Sequence, residues 1–177
     1  MTRWPSRAAS SRTSSGSGAD RPSAYLDALH LLSRRAYSVT ECRDRLRARE
    51  HADDAIDAAI ERLLETGGLD DKRLAQSYAR TAVETKGRGR LRVVRELLAR
   101  GVDKEIAAEA VAEVFGEKDE RSLVARALQK KLRGRPRPAD SAEYARLYQY
   151  LMRQGFTPAV VVASLRRLRR SRDDEVE

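Results

Sequence analysis

The sequence predicts an all-α protein: three tandem three-helix repeats forming an elongated, curved helical array, behind a disordered N-terminal tail. Three observations carry this. Ala, Leu, Arg and Glu dominate and strand-like alternation of β-branched residues is missing, which favours helix from about residue 23 onward. A helix, a short break and a second apolar helix recur in nearly the same form. Leu97-Leu98-Ala99-Arg100-Gly101-Val102-Asp103-Lys104-Glu105-Ile106 aligns with Leu151-Met152-Arg153-Gln154-Gly155-Phe156-Thr157-Pro158-Ala159-Val160, and more loosely with Leu46 through Ile56. Copies roughly 50 residues apart mark stacked units, an architecture that presents surfaces to large partners more often than pockets to small ones. Finally, residues 1–22 are rich in Ser, Gly and Arg and poor in apolar side chains, too little to offset the entropy of ordering.

Repeat 1 (23–68) opens with Tyr25, Leu26, Leu29 and Leu32 at helical spacing, a stripe expected to face the core. Ser38-Val39-Thr40-Glu41 has the form of a capping box, with Tyr37 and Cys42 placed as a hydrophobic staple. The helix it starts extends to about Arg49. A third helix, Asp54 to Glu65, carries Ile56, Ile60, Leu63 and Leu64 on one side and stops at Gly67-Gly68. In repeat 2 (69–116), Asp70 caps a helix from Asp71 to Glu84 with Leu74, Tyr78 and Ala82 inward, and Asp71 favours the positive helix end. The next helix starts near Arg88, turns Leu91, Val94 and Leu98 to its apolar side, and ends at Gly101. Asp103 caps the third, which buries Ile106, Ala110 and Val114.

Repeat 3 (117–171) begins near Lys118 with a helix through Leu123, Ala127 and Leu128. A basic break, Lys130 to Pro138, leads to a helix with Tyr144, Leu147, Tyr148 and Leu151 that ends at Gly155. Thr157 as N-cap and Pro158 at the first helical position start the last helix, with Val160, Val161, Leu165 and Leu168 on its apolar face. Residues 172–177 form a charged C-terminal tail. Each unit is small, so limited docking between units and a pliable molecule are expected.

Net charge is +9 and aromatics are 5% of the chain. That balance favours a polyanionic partner, nucleic acid or an acidic protein surface, without choosing between them. A lone cysteine, Cys42, excludes an internal disulfide and reads as a buried helix residue. His30 and His51 lie too far apart for a zinc spacing. Gly87-Arg88-Gly89 follows no strand and precedes no Lys-Ser/Thr, so it is not a phosphate loop. No cofactor, metal or catalytic residue is therefore expected, and the chain is read as a non-enzyme. Without an apolar run near the ~18 residues of a membrane span, and without a secretory apolar stretch, a monomer in the cytoplasm is expected. The tail is similar in composition to an organellar transit peptide, but a solvated basic tail is the favoured reading.

The basic residues are the strongest functional signal. Lys86, Arg88, Arg90, Arg92 and Arg95 gather at the start of the middle unit's second helix, with no acid among them. Gly87 and Gly89 would let a partner come close to the backbone there. Lys130, Lys131 and Arg133 form a second cluster, and Arg166, Arg167, Arg169 and Arg170 a third. Tyr144 and Tyr148 could serve as base-stacking platforms, but a core role is favoured.

Gly67-Gly68-Leu69-Asp70-Asp71-Lys72-Arg73-Leu74-Ala75, then Lys86-Gly87-Arg88-Gly89-Arg90-Leu91, Glu96-Leu97 and Arg100-Gly101-Val102, resemble in order the signatures of the RecX family of bacterial recombination regulators. Leu31-Leu32-Ser33-Arg34-Arg35 with Ser38, and Tyr150-Leu151-Met152-Arg153-Gln154-Gly155-Phe156, extend the resemblance over about residues 24 to 170. Leu69 follows Gly68 directly, without the aromatic often seen between them, Leu74 stands in place of a common Phe, and Glu50 where a glycine is expected. The resemblance implies stacked three-helix repeats that bind the RecA–DNA filament, touching single- or double-stranded DNA directly or through it. It further implies restraint of filament growth, ATP hydrolysis and strand exchange. The alternative is a sequence-independent DNA-binding helical protein with no recombinase partner. On the sequence alone, Arg88, Arg92 and Arg95 exchanged together for Ala should leave the fold intact and weaken filament binding. Ser38→Ala should cost only the ~1 kcal/mol of a lost cap.

Overall fold

The computed structural model describes residues 23–116, 119–133, 135, 138 and 140–170. The two expected tails (1–22 and 172–177), Lys118, Gly134, Pro136 and Arg137 lie outside the described residues. Among the described residues there are nine helices and no strand: α1 (Ala24–Leu32), α2 (Val39–Arg47), α3 (Asp53–Glu65), α4 (Asp71–Glu84), α5 (Arg90–Ala99), α6 (Lys104–Gly116), α7 (Glu120–Leu132), α8 (Ser141–Gln154) and α9 (Pro158–Arg170). Helices pack chiefly within their own triplet, α1–α3, α4–α6 and α7–α9, which gives the tandem array that the repeats predict.

Local chemistry sets the helix starts. Ser23, Asp70, Asp119 and Asp140 each accept a backbone N–H from the first turn. Asp103 does the same for Glu105 and Ile106. Ser38 and Glu41 complete a reciprocal capping box, each bond 3.0 Å. α5 starts later than its arginines suggest, because Gly87 is left-handed (φ 61) and Gly89 is its extended N-cap.

The units lock together by one device used twice: the C-terminal turn of a second helix sits on the N-terminal start of the preceding unit's second helix. At the first joint the Ser38 hydroxyl donates to the Arg100 carbonyl, and the Thr40 hydroxyl to the Gly101 carbonyl at 2.9 Å. At the second joint the Gly89 N–H donates to the Gln154 carbonyl at 2.8 Å, and the Leu91 N–H to the Gly155 carbonyl at 2.9 Å. The residues correspond pair by pair. Orphan carbonyls at a helix end thus find donors at the start of another helix, and negative and positive dipole ends meet.

Both joints demand glycine. Gly101 (φ 74) and Gly155 (φ 84) are left-handed, and a Cβ on them would fall 2.4 Å from Thr40 Cβ and 2.3 Å from the Arg92 backbone nitrogen. The freedom of Gly89 is likewise spent inside the chain, where a Cβ would lie 2.4 Å from the Gly155 carbonyl carbon, so it does not serve approach by a partner. Glu50 is also left-handed (φ 61) at the matching turn of repeat 1.

Charge ties complete the first joint. Arg100 donates to both Glu41 oxygens, at 3.2 and 2.8 Å, and to the Ala36 carbonyl at 2.9 Å. Burial acts to raise the Glu41 carboxyl, but Arg100, the Ser38 N–H and Arg35 outweigh it and hold it below the ordinary value. Asp71, expected only to favour a helix dipole, accepts the Val39 N–H at 3.0 Å, and burial pushes its carboxyl up. Within repeat 1, buried Asp27 pairs with Arg49 and His51, each at 2.8 Å, pinning α1 to the α2–α3 turn.

Two apolar cores result. One fills repeat 1 around Leu46, Ile56 and Leu63, with Cys42 fully buried. The other runs unbroken through repeats 2 and 3, from Leu74 through Leu97, Phe115 and Val124 to Phe156 and Val161. One apolar cluster thus bridges repeats 2 and 3, while the closely packed helix pairs all lie within single triplets, in keeping with the limited docking expected from unit size. Some expected apolar faces also turn outward. In α1 the buried apolar residues are Ala24, Ala28 and Leu31, whereas Leu26 and Leu29 are exposed. Leu64 on α3 is exposed too. In α5, Val93 and Leu97 are buried, while Leu91 and Leu98 are 49% and 43% exposed.

Three substitutions test the joints by urea unfolding. Gly67→Ala places a Cβ in open space at φ 68 and should cost only the ~1–2 kcal/mol of left-handed strain. Gly155→Ala adds a backbone clash to that strain and should cost clearly more; equal losses would contradict the interlock. Ser38→Ala removes a cap and a joint bond together and should exceed the ~1 kcal/mol of a cap alone.

Candidate nucleic-acid interface

The sequence gathers five basic residues around the start of α5, and the fold divides them. Arg88 and Arg92 close on Glu96, one residue past the acid-free run. Arg92 Nε donates to Glu96 Oε1 at 2.9 Å, and the Arg88 guanidinium donates to Glu96 Oε2. The Tyr78 hydroxyl from α4 donates to the same Oε2 at 2.8 Å and accepts from Arg88 at 2.9 Å. Burial acts to raise the Glu96 carboxyl, but Arg92, Tyr78 and Arg88 outweigh it and hold it below the ordinary value. Arg92 also donates to the Arg153 carbonyl at 3.3 Å, adding a bond across the second joint. Arg88 and Arg92 therefore brace repeat 2 against itself and against repeat 3.

The other three differ. Arg90 is half-buried, its guanidinium carbon 5.4 Å from the Phe115 ring centre. Lys86 is exposed, 5.6 Å from the Tyr78 ring centre. Arg95 is exposed between Leu91 and Leu98, a cation within an apolar strip on the outer face of α5. Arg88, Arg92 and Arg95 thus do not form one free basic face.

A second basic surface lies on repeat 3. Lys130 and Lys131 end α7 and are exposed, and Arg133 is its left-handed C-cap (φ 52). Lys131 faces α8 across an open groove of about 410 Å³ lined by Arg146, Gln149, Tyr150 and Arg153. Its ammonium stands 5.3 Å from the Tyr150 ring centre. Among the described residues no carboxylate lines this groove. Arg146 and Arg153 escaped the reading from sequence because apolar and aromatic residues separate them. Plotted on a helix, their spacing of two turns places them on one side with Gln149 and Tyr150, the signal that would have found them. Arg166 is exposed on α9, distinct from this groove; the Arg170 side chain lies outside the described residues.

Chemically, the groove can seat phosphate oxygens on Lys131, Arg146 and Arg153 and a planar group against Tyr150. The α5 strip suits a protein surface with apolar and acidic groups. No described helix is long and apolar enough to cross a membrane.

Comparison with known proteins matches each repeat to a family model: the first three-helix domain of RecX over residues 24–63, the second over 70–111 and the third over 119–163. The regulatory protein RecX of Chromohalobacter salexigens is 37% identical over 131 residues, 73% of this chain and 82% of that protein. The regulatory protein RecX of Bacillus velezensis is 32% identical over 90% of this chain, which spans 60% of that longer protein. The crystal structure of RecX from Lactobacillus salivarius superposes with a TM-score of 0.68 at 25% identity, covering 82% of this chain and 94% of that one.

Glu96→Gln removes the charge that Arg88 and Arg92 grip and should cost ~2 kcal/mol at neutral pH, whereas Arg95→Ala should change stability by less than ~0.5 kcal/mol. The Glu96 carboxyl sits below its ordinary value in the fold. Its contribution is complete above the unfolded value, near pH ~4.3, and fades as pH falls through the lower folded value. Urea unfolding across acid pH should show a shallower acid loss in Glu96→Gln; identical slopes would contradict the clamp.

Proposed function

This chain belongs to the RecX family of regulatory proteins, and from that premise we propose that it binds the RecA–DNA filament and restrains RecA's ATPase, filament extension and strand exchange in recombinational repair. The observation that carries the reading is the groove of Lys131, Arg146 and Arg153, lined by no carboxylate among the described residues, on an array whose other candidate surface, on α5, mixes Leu91, Leu98 and Arg95. A nucleoprotein filament offers both complements: phosphates to the first surface, apolar and acidic side chains to the second. Interlocked repeats suit such a partner, because binding along a filament groove needs surfaces held at fixed spacing. Lys86, Lys130, Arg133 and Arg166 add exposed positive charge that steers the chain toward the polyanion. In place of the arginine triple first suggested by the sequence, Arg95 and the α8 groove are the filament-facing groups.

The same groove also favours a second reading, sequence-independent binding to DNA alone. The two part on the α5 strip, which DNA phosphates do not require.

Exchange of Lys131, Arg146 and Arg153 together for Ala should weaken binding to filaments assembled on single-stranded DNA at least ~tenfold and reduce the salt slope by roughly three. Leu91→Ser with Leu98→Ser should weaken binding to the filament and leave binding to naked DNA unchanged. Fluorescence anisotropy with labelled DNA, with and without RecA, reads both. Full-strength filament binding by the triple variant contradicts the groove, and equal losses of filament and naked-DNA binding in the leucine pair favour the second reading.

A further inference from the structure

The two joints of the array are held by different kinds of atom. At the second joint the main chain itself bonds: the Gly89 and Leu91 N–H groups donate to the Gln154 and Gly155 carbonyls, over an apolar core shared by both repeats. Among the described residues no main-chain to main-chain bond crosses the first joint. The bonds there have a side chain at one end at least. They run from the Ser38 and Thr40 hydroxyls, from the Arg100 guanidinium to Glu41 and the Ala36 carbonyl, from the Val39 N–H to the Asp71 carboxylate, and from the Arg73 guanidinium to the Gly67 carbonyl. Side chains turn among rotamers, and water can replace such bonds. The apolar cores on the two sides are separate, so movement at this joint exposes little apolar surface and meets little hydrophobic resistance.

The connecting backbone permits a turn at the same place. Leu69 is buried in the core of repeat 1, and its N–H donates to the Leu63 carbonyl at 3.0 Å. Asp70 instead caps α4, accepting the Arg73 N–H at 2.8 Å. The chain is thus anchored to repeat 1 up to Leu69 and to repeat 2 from Asp70, which leaves the step between them as a pivot. An open cleft of about 490 Å³ lies beside it, between Arg35 and Tyr37 of repeat 1 and Ser77 and Tyr78 of α4. That space gives repeat 1 room to swing.

We propose that the first joint is the hinge of the array, with repeat 1 turning as a body against repeats 2 and 3 and the Arg100 guanidinium as its latch. Arg100 makes three of the cross-joint bonds, two to the Glu41 oxygens at the start of α2 and one to the Ala36 carbonyl in the turn before it. The Arg100 and Glu41 side chains are 19% and 22% exposed, so the pair keeps contact with water and parts without leaving a charge buried. Curvature of the array is then set by a side chain rather than by the shape of its repeats. The hinge is a property of the free chain and does not depend on the filament reading.

The test is pulsed dipolar spectroscopy on the full chain, without RecA or DNA. Spin labels on Glu61→Cys with Ala108→Cys span the first joint, and labels on Ala108→Cys with Ala163→Cys span the second; all three positions are exposed. Cys42 is wholly buried, and the parent chain serves as its control. Arg100→Gln should widen the distance distribution across the first joint about twofold or more and leave the second unchanged. Thr40→Val, which exchanges an exposed hydroxyl for a methyl, should widen the first by less and keeps the proposal testable if Arg100→Gln does not fold. Unchanged widths across the first joint in both variants overturn the hinge, as does equal widening across both joints. Widening in Thr40→Val but not in Arg100→Gln overturns Arg100 as the latch.

Discussion

Everything in this molecule depends on the seating of one helix end on the start of another. Arg100 and Gly101 carbonyls meet Ser38 and Thr40; Gln154 and Gly155 carbonyls meet Gly89 and Leu91. Each such bond contributes only ~1 kcal/mol net, but leaving those carbonyls buried and unpaired would cost more. The seating also leaves no room for a Cβ at 101, where it would strike the Thr40 side chain, or at 155, where it would strike the Arg92 backbone, which is why the array needs glycine at both. The joint thus explains conformation, sequence and order of units with one constraint.

The two joints are built from different materials. The second adds a continuous apolar core, with Phe156 wholly buried beneath it. The first relies on polar ties, Glu41 with Arg100 and Asp71 with the Val39 N–H, while the apolar cores on its two sides remain separate. Salt and pH therefore act more on the setting of repeat 1 than on that of repeats 2 and 3. The groove of Lys131, Arg146 and Arg153 and the strip of Leu91, Arg95 and Leu98 both belong to the pair of repeats that shares an apolar core and the bonds of the second joint. That division matches a molecule that grips with its last two repeats.

The helices and their caps were legible in the sequence because capping is local: Ser38 with Glu41, Asp70 and Asp103 each act within a turn of themselves. Family membership was legible through the order of weak motifs rather than any single one. Helix faces were less so. α1 and α5 carry apolar residues on more than one side, and periodicity does not say which side a neighbouring unit will cover. Leu91 faces outward because its own N–H is held by Gly155, a residue far along the chain. The same limit hid the fate of Arg88 and Arg92. Arg92 and Glu96 are a readable i, i+4 pair, but the Tyr78 hydroxyl that completes the clamp comes from another helix. The α8 groove was missed for a different reason, since its cations are dispersed in sequence and converge only when wound on a helix with Lys131 beside them.

The functional account rests on a regulator that acts through the filament rather than by covering DNA. The most direct test measures RecA's ATP hydrolysis on single-stranded DNA while this protein is titrated in. The account predicts inhibition at amounts far too small to coat the DNA. Inhibition only once the protein saturates the DNA would contradict it and leave simple competition for the strand.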